Sequence, residues 1–181
     1  MSRMMQVSAV VFVMLAASAD AAEVVSMKLC AVEDYDVSIR GCAAGKGLEG
    51  SSIMIDPSVV KGVYFLTAIK AGEAEEVYHV WIAAGRKSGN VSVFDSTTRT
   101  MRDADQSELD WLKERSIEGA QALIKLPVAA SSNYRTRSQK TLSPRLAGPW
   151  KVQVYDGAKL TPLGELSFTV TAPASTTTEQ N

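Results

Sequence analysis

Residues 122–170 read ALIKLPVAASSNYRTRSQKTLSP and then RLAGPWKVQVYDGAKLTPLGELSFTV, and this stretch decides the fold. Trp150, Val152 and Val154 alternate with Lys151, Gln153 and Tyr155. After an Asp156-Gly157 turn and Pro162, Leu166, Phe168 and Val170 alternate with Glu165, Ser167 and Thr169. A period of two puts one set of side chains on a dry face and the other on a wet one, as in paired strands with a single covered side. The two runs therefore predict a terminal antiparallel hairpin whose six apolar residues meet in an interior between two stacked layers. Ala122–Val128 and Asn133–Arg137 read as two more strands. The first should end, or lie at a sheet edge, at Pro127, because proline has no amide proton for a ladder.

Further towards the N-terminus, Val77, His79 and Trp81 fall on one face of Val77–Ala83, and Tyr78, Val80 and Ile82 on the other. A strand that is apolar on both sides belongs in the middle of a sheet. Gly62–Lys70 (GVYFLTAIK) is another strand, and the short polar AGEAEE between the two predicts antiparallel neighbours. Val24–Val32 reads as the first strand, and the glycine-rich GCAAGKGLEG beyond it as a surface connection. Residues 86–121 are the least strand-like. There Val91–Phe94 offers a short strand and Asp105–Arg115 (DQSELDWLKER) a helix, with Leu109, Trp111 and Leu112 as a narrow apolar stripe. Asp or Ser supplies its cap, Lys113 and Arg115 sit at the end that favours cations, and Gly119 would stop it. A lone helix among strands is expected to lie across a sheet edge or an open end. The whole predicts an all-β chain, an immunoglobulin-like antiparallel β-sandwich with one inserted α-helix.

The N-terminus carries a processing signal. Arg3 precedes an apolar run, Gln6–Ala17, and Ala19-Asp20-Ala21 gives the small residues a signal peptidase needs, so residues 1–21 read as a signal peptide. Asp20 ends that run short of the length a spanning helix needs, so no membrane span is expected after cleavage. Residues 22–171 form one β-sandwich domain, with the helical insertion at about 86–121, and 172–181 (APASTTTEQN) a disordered tail. The expected location is periplasmic or secreted. The formal charge of -1 gives no basic excess to draw in nucleic acid. Cys30 and Cys42 are the only cysteines, and an exported chain can join them in a disulfide, the alternative being two free buried thiols. No metal site or cofactor is indicated.

Catalytic groups are scarce. His79 is the single histidine, set mid-strand between large residues, where a packed and hydrogen-bonded imidazole is the ordinary outcome. No Gly-x-Ser-x-Gly elbow presents a nucleophile. Glu73, Glu75 and Glu76 cluster on a connection where solubility explains them, and Asp103, Asp105, Glu108 and Asp110 lack the glycine and terminal glutamate of a calcium loop. The remaining constellation is basic and aromatic: Asn133, Tyr134, Arg135, Arg137 and Lys140, with Arg145 and Ser138 nearby. Alternation puts Arg135 and Arg137 on one face, spaced to take a carboxylate, a phosphate or an anionic glycan. The competing reading is a solvated sheet face whose arginines pair with carboxylates of neighbouring strands.

The ordered segments VYFLTAIK, YHVW, ALIKLPV, SSNYRTRSQKTLSP, GPWKVQVYD and LSFTV resemble a bacterial exported family of unknown function, across roughly Met27 to Val170. Arg137 stands where that pattern has an aromatic, and residues 86–121 lengthen a link that is otherwise short. The resemblance implies an exported or membrane-tethered β-sandwich, often an appendage, and does not imply a reaction. The expected function is thus a noncatalytic binding or structural accessory module of the bacterial cell envelope, its partner an envelope protein or an anionic glycan. The alternative is a cell-envelope glycan hydrolase that uses a carboxylate pair.

Overall fold

The computed structural model describes residues 21–49, 52–86 and 89–172. The expected signal peptide and disordered tail fall outside these, but for Ala21 and Ala172. The described strands are β1 (Glu23–Ala31), β2 (Tyr35–Asp36), β3 (Gly41–Cys42), β4 (Gly47–Leu48), β5 (Met54–Ile55), β6 (Gly62–Ala71), β7 (Glu75–Ala83), β8 (Ser92–Asp95) and β9 (Thr100–Asp103). Helix α1 (Gln106–Glu114) follows, then β10 (Ala120–Val128), β11 (Ser131–Thr141), β12 (Gly148–Asp156) and β13 (Pro162–Val170). They assemble a four-stranded sheet in the order β11-β6-β1-β4 and a seven-stranded sheet in the order β5-β13-β12-β7-β10-β8-β9, with β2 and β3 as a separate ribbon. The long strands pair antiparallel, whereas the two short pairings β10 with β8 and β13 with β5 are parallel.

The terminal hairpin forms in the expected register, with Trp150 opposite Phe168 and Val152 opposite Leu166. Trp150, Val152, Val154, Phe168 and Val170 are buried, and Leu166 packs against them partly covered. They meet Leu29, Val63, Phe65 and Ile69 of the other sheet in a single core, so the alternation read in the sequence does mark the interior of a two-layer stack. Strand β7 holds the middle place of the seven, with Val77, Trp81 and Ala83 in this core and Val80 and Ile82 in a second one. Pro127 lies opposite Glu76 of β7, two positions past Lys125, the last residue of β10 that pairs with β8. Its missing N–H therefore faces a side where the ladder has already ended.

Two expectations need correction. AGEAEE does not close a hairpin. Strand β6 already has β1 and β11 on its two sides, so the chain leaves the four-stranded sheet at Ala71 and enters the seven-stranded one at Glu75. Nor does α1 lie at an edge or an open end. Trp111 and Leu112, with Ile117 just beyond, cover the second face of the seven-stranded sheet over Val80, Ile82, Val93, Leu123 and Tyr155. That cover explains why β7 is apolar on both faces. The helix starts on a full capping box, Asp105 accepting from the Glu108 amide at 3.0 Å while the Glu108 carboxylate accepts from the Asp105 amide at 3.0 Å. Glu108 also takes two 2.7 Å bonds from Arg102 and lies 3.0 Å from Lys125 Nζ, which fixes α1 to β9 and β10.

Candidate functional site

Strand β11 runs from Ser131 to Thr141, longer than the Asn133–Arg137 read from sequence, and its alternation splits the basic-aromatic cluster between two faces. Thr136 and Ser138 are buried, whereas Asn133, Arg135 and Arg137 are exposed on the outer face of the four-stranded sheet. Tyr134 points the other way and packs against the core. Lys140 shares that inner side, 5.4 Å from the Trp150 ring, and burial lowers its pKa. The structure therefore brings Asn133, Arg135 and Arg137 together and removes Tyr134 and Lys140 from the site.

Pairing across the sheet sets what flanks the two arginines. Arg137 lies opposite Leu66, which lies opposite Lys28, and Arg135 lies opposite Ala68, which lies opposite Ser26. Over this face folds the 35–48 segment with its β2–β3 ribbon. Arg137 sits 4.3 Å from the Tyr35 ring centroid and 5.0 Å from that of Tyr64, so its guanidinium stacks on an aromatic pair whose own centroids are 4.8 Å apart. Arg135 donates to the Ile39 carbonyl. Asp36 accepts from the Ser38 amide at 2.8 Å and hydroxyl at 2.6 Å, which tightens the turn and holds its carboxyl below the usual range. The turn ends at Arg40, whose φ of 47° lies in the left-handed region that side chains other than glycine seldom adopt.

Between sheet and segment lies an open groove of about 510 Å³, with Val25, Lys28, Ile39, Arg40, Leu66 and Arg135 among its walls. Next to it a pocket of about 320 Å³ is lined by Tyr35, Val37, Arg40, Arg135, Thr136 and Arg137. Arg40 and Arg135 belong to both. Among the described residues no carboxylate forms an ion pair with Arg40, Arg135 or Arg137; the groove's acidic residue, Glu49, is engaged by Lys28 at 2.6 Å. The pairing with neighbouring carboxylates that a solvated sheet face would show is therefore not how these arginines are held. Sequence reading missed Arg40, Tyr35 and Tyr64. Tyr64 left one usable signal, an aromatic on the opposite side of β6 from Val63 and Phe65.

Cys30 and Cys42 are free thiols, not a disulfide. Each S–H is spent on a backbone carbonyl, Cys30 on Asp34 at 3.5 Å and Cys42 on Leu29 at 3.6 Å. Burial raises the Cys30 pKa, and the neighbouring Cys42 adds to it.

His79 and Asp156 are both engaged inside the fold. His79 is fully buried, and burial pushes its pKa down to about 3. Its Nε2 lies 3.2 Å from Thr67 Oγ1 and its Nδ1 2.9 Å from Ser138 Oγ, which also accepts from Trp81 Nε1 at 3.0 Å. Thr67 in turn meets Thr136 at 2.8 Å. The His-x-Trp and Arg-Thr segments are thus two halves of one buried polar network joining the sheets. Asp156, nearly sealed from solvent, accepts from the amides of Ala158 at 2.9 Å and Lys159 at 2.7 Å and so fixes the turn between β12 and β13. Among the described residues no group of three or more His, Cys, Asp or Glu is placed to hold a metal ion, and no helix is long and apolar enough to cross a membrane.

A comparison with curated proteins finds no match. A family model described as a protein of unknown function (DUF2914) matches residues 108–170, from within α1 to the end of β13. The match takes in Asn133, Arg135 and Arg137 and stops short of His79, Trp81 and the 35–48 segment, so the chain carries, over that span, a domain similar to a family of unknown function.

Proposed function

We propose that this protein is a noncatalytic, exported binding module that captures an anionic component of the bacterial cell envelope on the outer face of its four-stranded sheet. One observation carries the reading. Arg135, Arg137 and Arg40 converge on an open groove and pocket, and none of them forms an ion pair among the described residues. Guanidiniums with free N–H edges are suited to bind carboxylate, sulfate or phosphate oxygens through paired hydrogen bonds. Export is supported by the apolar run and small-residue site within residues 1–21. The absence of a reaction is supported by His79, which is sealed in the core where no substrate meets it. The immunoglobulin-like class of the sandwich belongs to the same proposal.

The test is affinity electrophoresis through gels that contain an anionic polyuronate or a neutral glucan. The protein should be retarded by the polyuronate alone. The Arg135→Ala/Arg137→Ala variant should run freely with its melting temperature within a few degrees of the parent. Equal retardation of variant and parent would remove this face from consideration.

A further inference from the structure

We propose that the smaller pocket, enclosed by Arg40, Arg135 and Arg137, is a phosphomonoester site whose neighbouring apolar wall, Val37 and Ile39, takes the organic part of the ligand. The inference rests on the anion-binding reading above and specifies its chemistry. Three guanidiniums line a pocket of about 320 Å³ that has no acidic lining residue. A carboxylate has one charge and two oxygens, which a single guanidinium fork satisfies. A phosphomonoester carries about -1.5 to -2 and three terminal oxygens, and three guanidiniums supply enough positive charge and enough N–H donors to engage all three oxygens.

Each arginine is held by something other than an acid. Arg137 rests its guanidinium carbon 4.3 Å from the Tyr35 ring centroid and 5.0 Å from that of Tyr64, contacts that hold the group in place without taking up its N–H donors. Arg135 uses one nitrogen on the Ile39 carbonyl and keeps the other donors of its guanidinium. Arg40 is presented by a turn whose acidic residue, Asp36, is committed to Ser38, at a φ of 47° that an arginine adopts at a cost. Beside them Val37 and Ile39 are 73% and 49% exposed, and Val25, on the larger groove, is 53% exposed. An apolar wall next to a cationic pocket suits an ester with a short aliphatic or ring body better than a bare ion.

Calorimetric titration of the purified protein at low ionic strength with hexyl phosphate, hexanoate and inorganic phosphate tests this. Hexyl phosphate should bind about tenfold or more tighter than hexanoate and measurably tighter than inorganic phosphate. Arg40→Gly deletes one guanidinium at a backbone angle that glycine adopts freely, so it keeps the fold and should bring the ester and the carboxylate within about twofold of each other. Vesicles of phosphatidic acid in phosphatidylcholine separate the sources. Arg40-dependent binding to them beyond that of hexyl phosphate marks a lipid headgroup, and no such gain marks a soluble ester. Equal affinity for ester and carboxylate, both lost in Arg135→Ala/Arg137→Ala, would overturn the phosphate assignment and leave the anion-binding reading standing. Binding of none of the three probes would overturn both.

Discussion

The Nδ1 atom of His79 lies 2.9 Å from the Ser138 hydroxyl, and through this contact the middle strand of the seven-stranded sheet is bonded to the edge strand of the four-stranded one. The imidazole also meets the edge of Phe65 at 4.8 Å between ring centroids. It is held neutral because burial, unopposed by any carboxylate, penalises its charged form.

A pH dependence follows, with a fixed sign. The unfolded chain protonates His79 near the ordinary value of 6.5, whereas the folded chain resists until about 3. Between those values the unfolded state binds the extra proton, so stability is complete above about pH 6.5 and falls as pH drops through the window. From pH 7.5 to pH 5 His79 alone accounts for a loss of about 2 kcal/mol. Urea unfolding followed by tryptophan fluorescence measures it. His79→Gln should be less stable at pH 7.5 and show a flatter profile down to pH 5; a flat profile in the parent contradicts the assignment.

Ser138 serves two buried partners, Trp81 Nε1 at 3.0 Å and His79 Nδ1 at 2.9 Å, so truncating it strands both. Leaving buried polar groups unsatisfied costs about 1–3 kcal/mol each, and Ser138→Ala should lose about 2–4 kcal/mol in total. Thr136→Val removes a single hydroxyl contact, to Thr67, and should lose about 1 kcal/mol. Thermal melts of the two variants side by side give the comparison. A Thr136→Val protein destabilised as much as Ser138→Ala would show that the network is not centred on Ser138.

The alternation of β12 and β13 and the two-faced apolarity of β7 reach the structure intact, because a period of two survives whatever the neighbouring strand is. The helix was equally readable, since Asp105 and Glu108 stand three apart and Trp111 and Leu112 follow. Strand β11 was not. Its inner residues Thr136 and Ser138 look like solvent-facing ones in a polar run, and only the partners on β6 and β7 reveal that they are buried. The site was half legible for the same reason. Alternation placed Arg135 and Arg137 on one face correctly, while Tyr134 and Lys140 had to fall on the other. Arg40 arrives from a turn whose seat on the sheet depends on Tyr35 meeting Tyr64, a contact between residues far apart in sequence.

Gly119 turns the chain from the end of the helical segment into β10 with φ of 75°, and its carbonyl accepts from the Ala83 amide at 2.9 Å. A Cβ added there would stand 2.2 Å from the Ala83 carbonyl oxygen, a backbone atom that no rotamer change can move. Gly119→Ala combines this clash with left-handed strain and should cost about 3 kcal/mol. Gly45 has a similar φ of 72° with nothing within 4 Å of the added carbon, so Gly45→Ala isolates the strain alone and should cost about 1 kcal/mol. Chemical denaturation of the pair separates clash from strain, and equal losses would deny the close approach at Ala83.

Thiol chemistry reports on the 35–48 segment. Cys30 has no solvent exposure and a raised pKa, so it stays protonated near neutral pH and should resist alkylation until the protein unfolds. Cys42 lies on β3 with partial exposure and should be modified first, slowly. Arg137 is the link to test, because its stack on Tyr35 and Tyr64 joins the base of this segment to the sheet. Arg137→Ala should speed labelling of Cys42 by about tenfold, the effect of losing an interaction of about 1–2 kcal/mol from a local opening equilibrium. Labelling of Cys30 should rise less, since its S–H contact to Asp34 and its place inside β1 persist. Mass spectrometry after timed exposure to iodoacetamide reads both sites at once. Unchanged Cys42 labelling in Arg137→Ala would mean that the segment is held by its other contacts, Arg135 on the Ile39 carbonyl and β4 on β1, without help from Arg137.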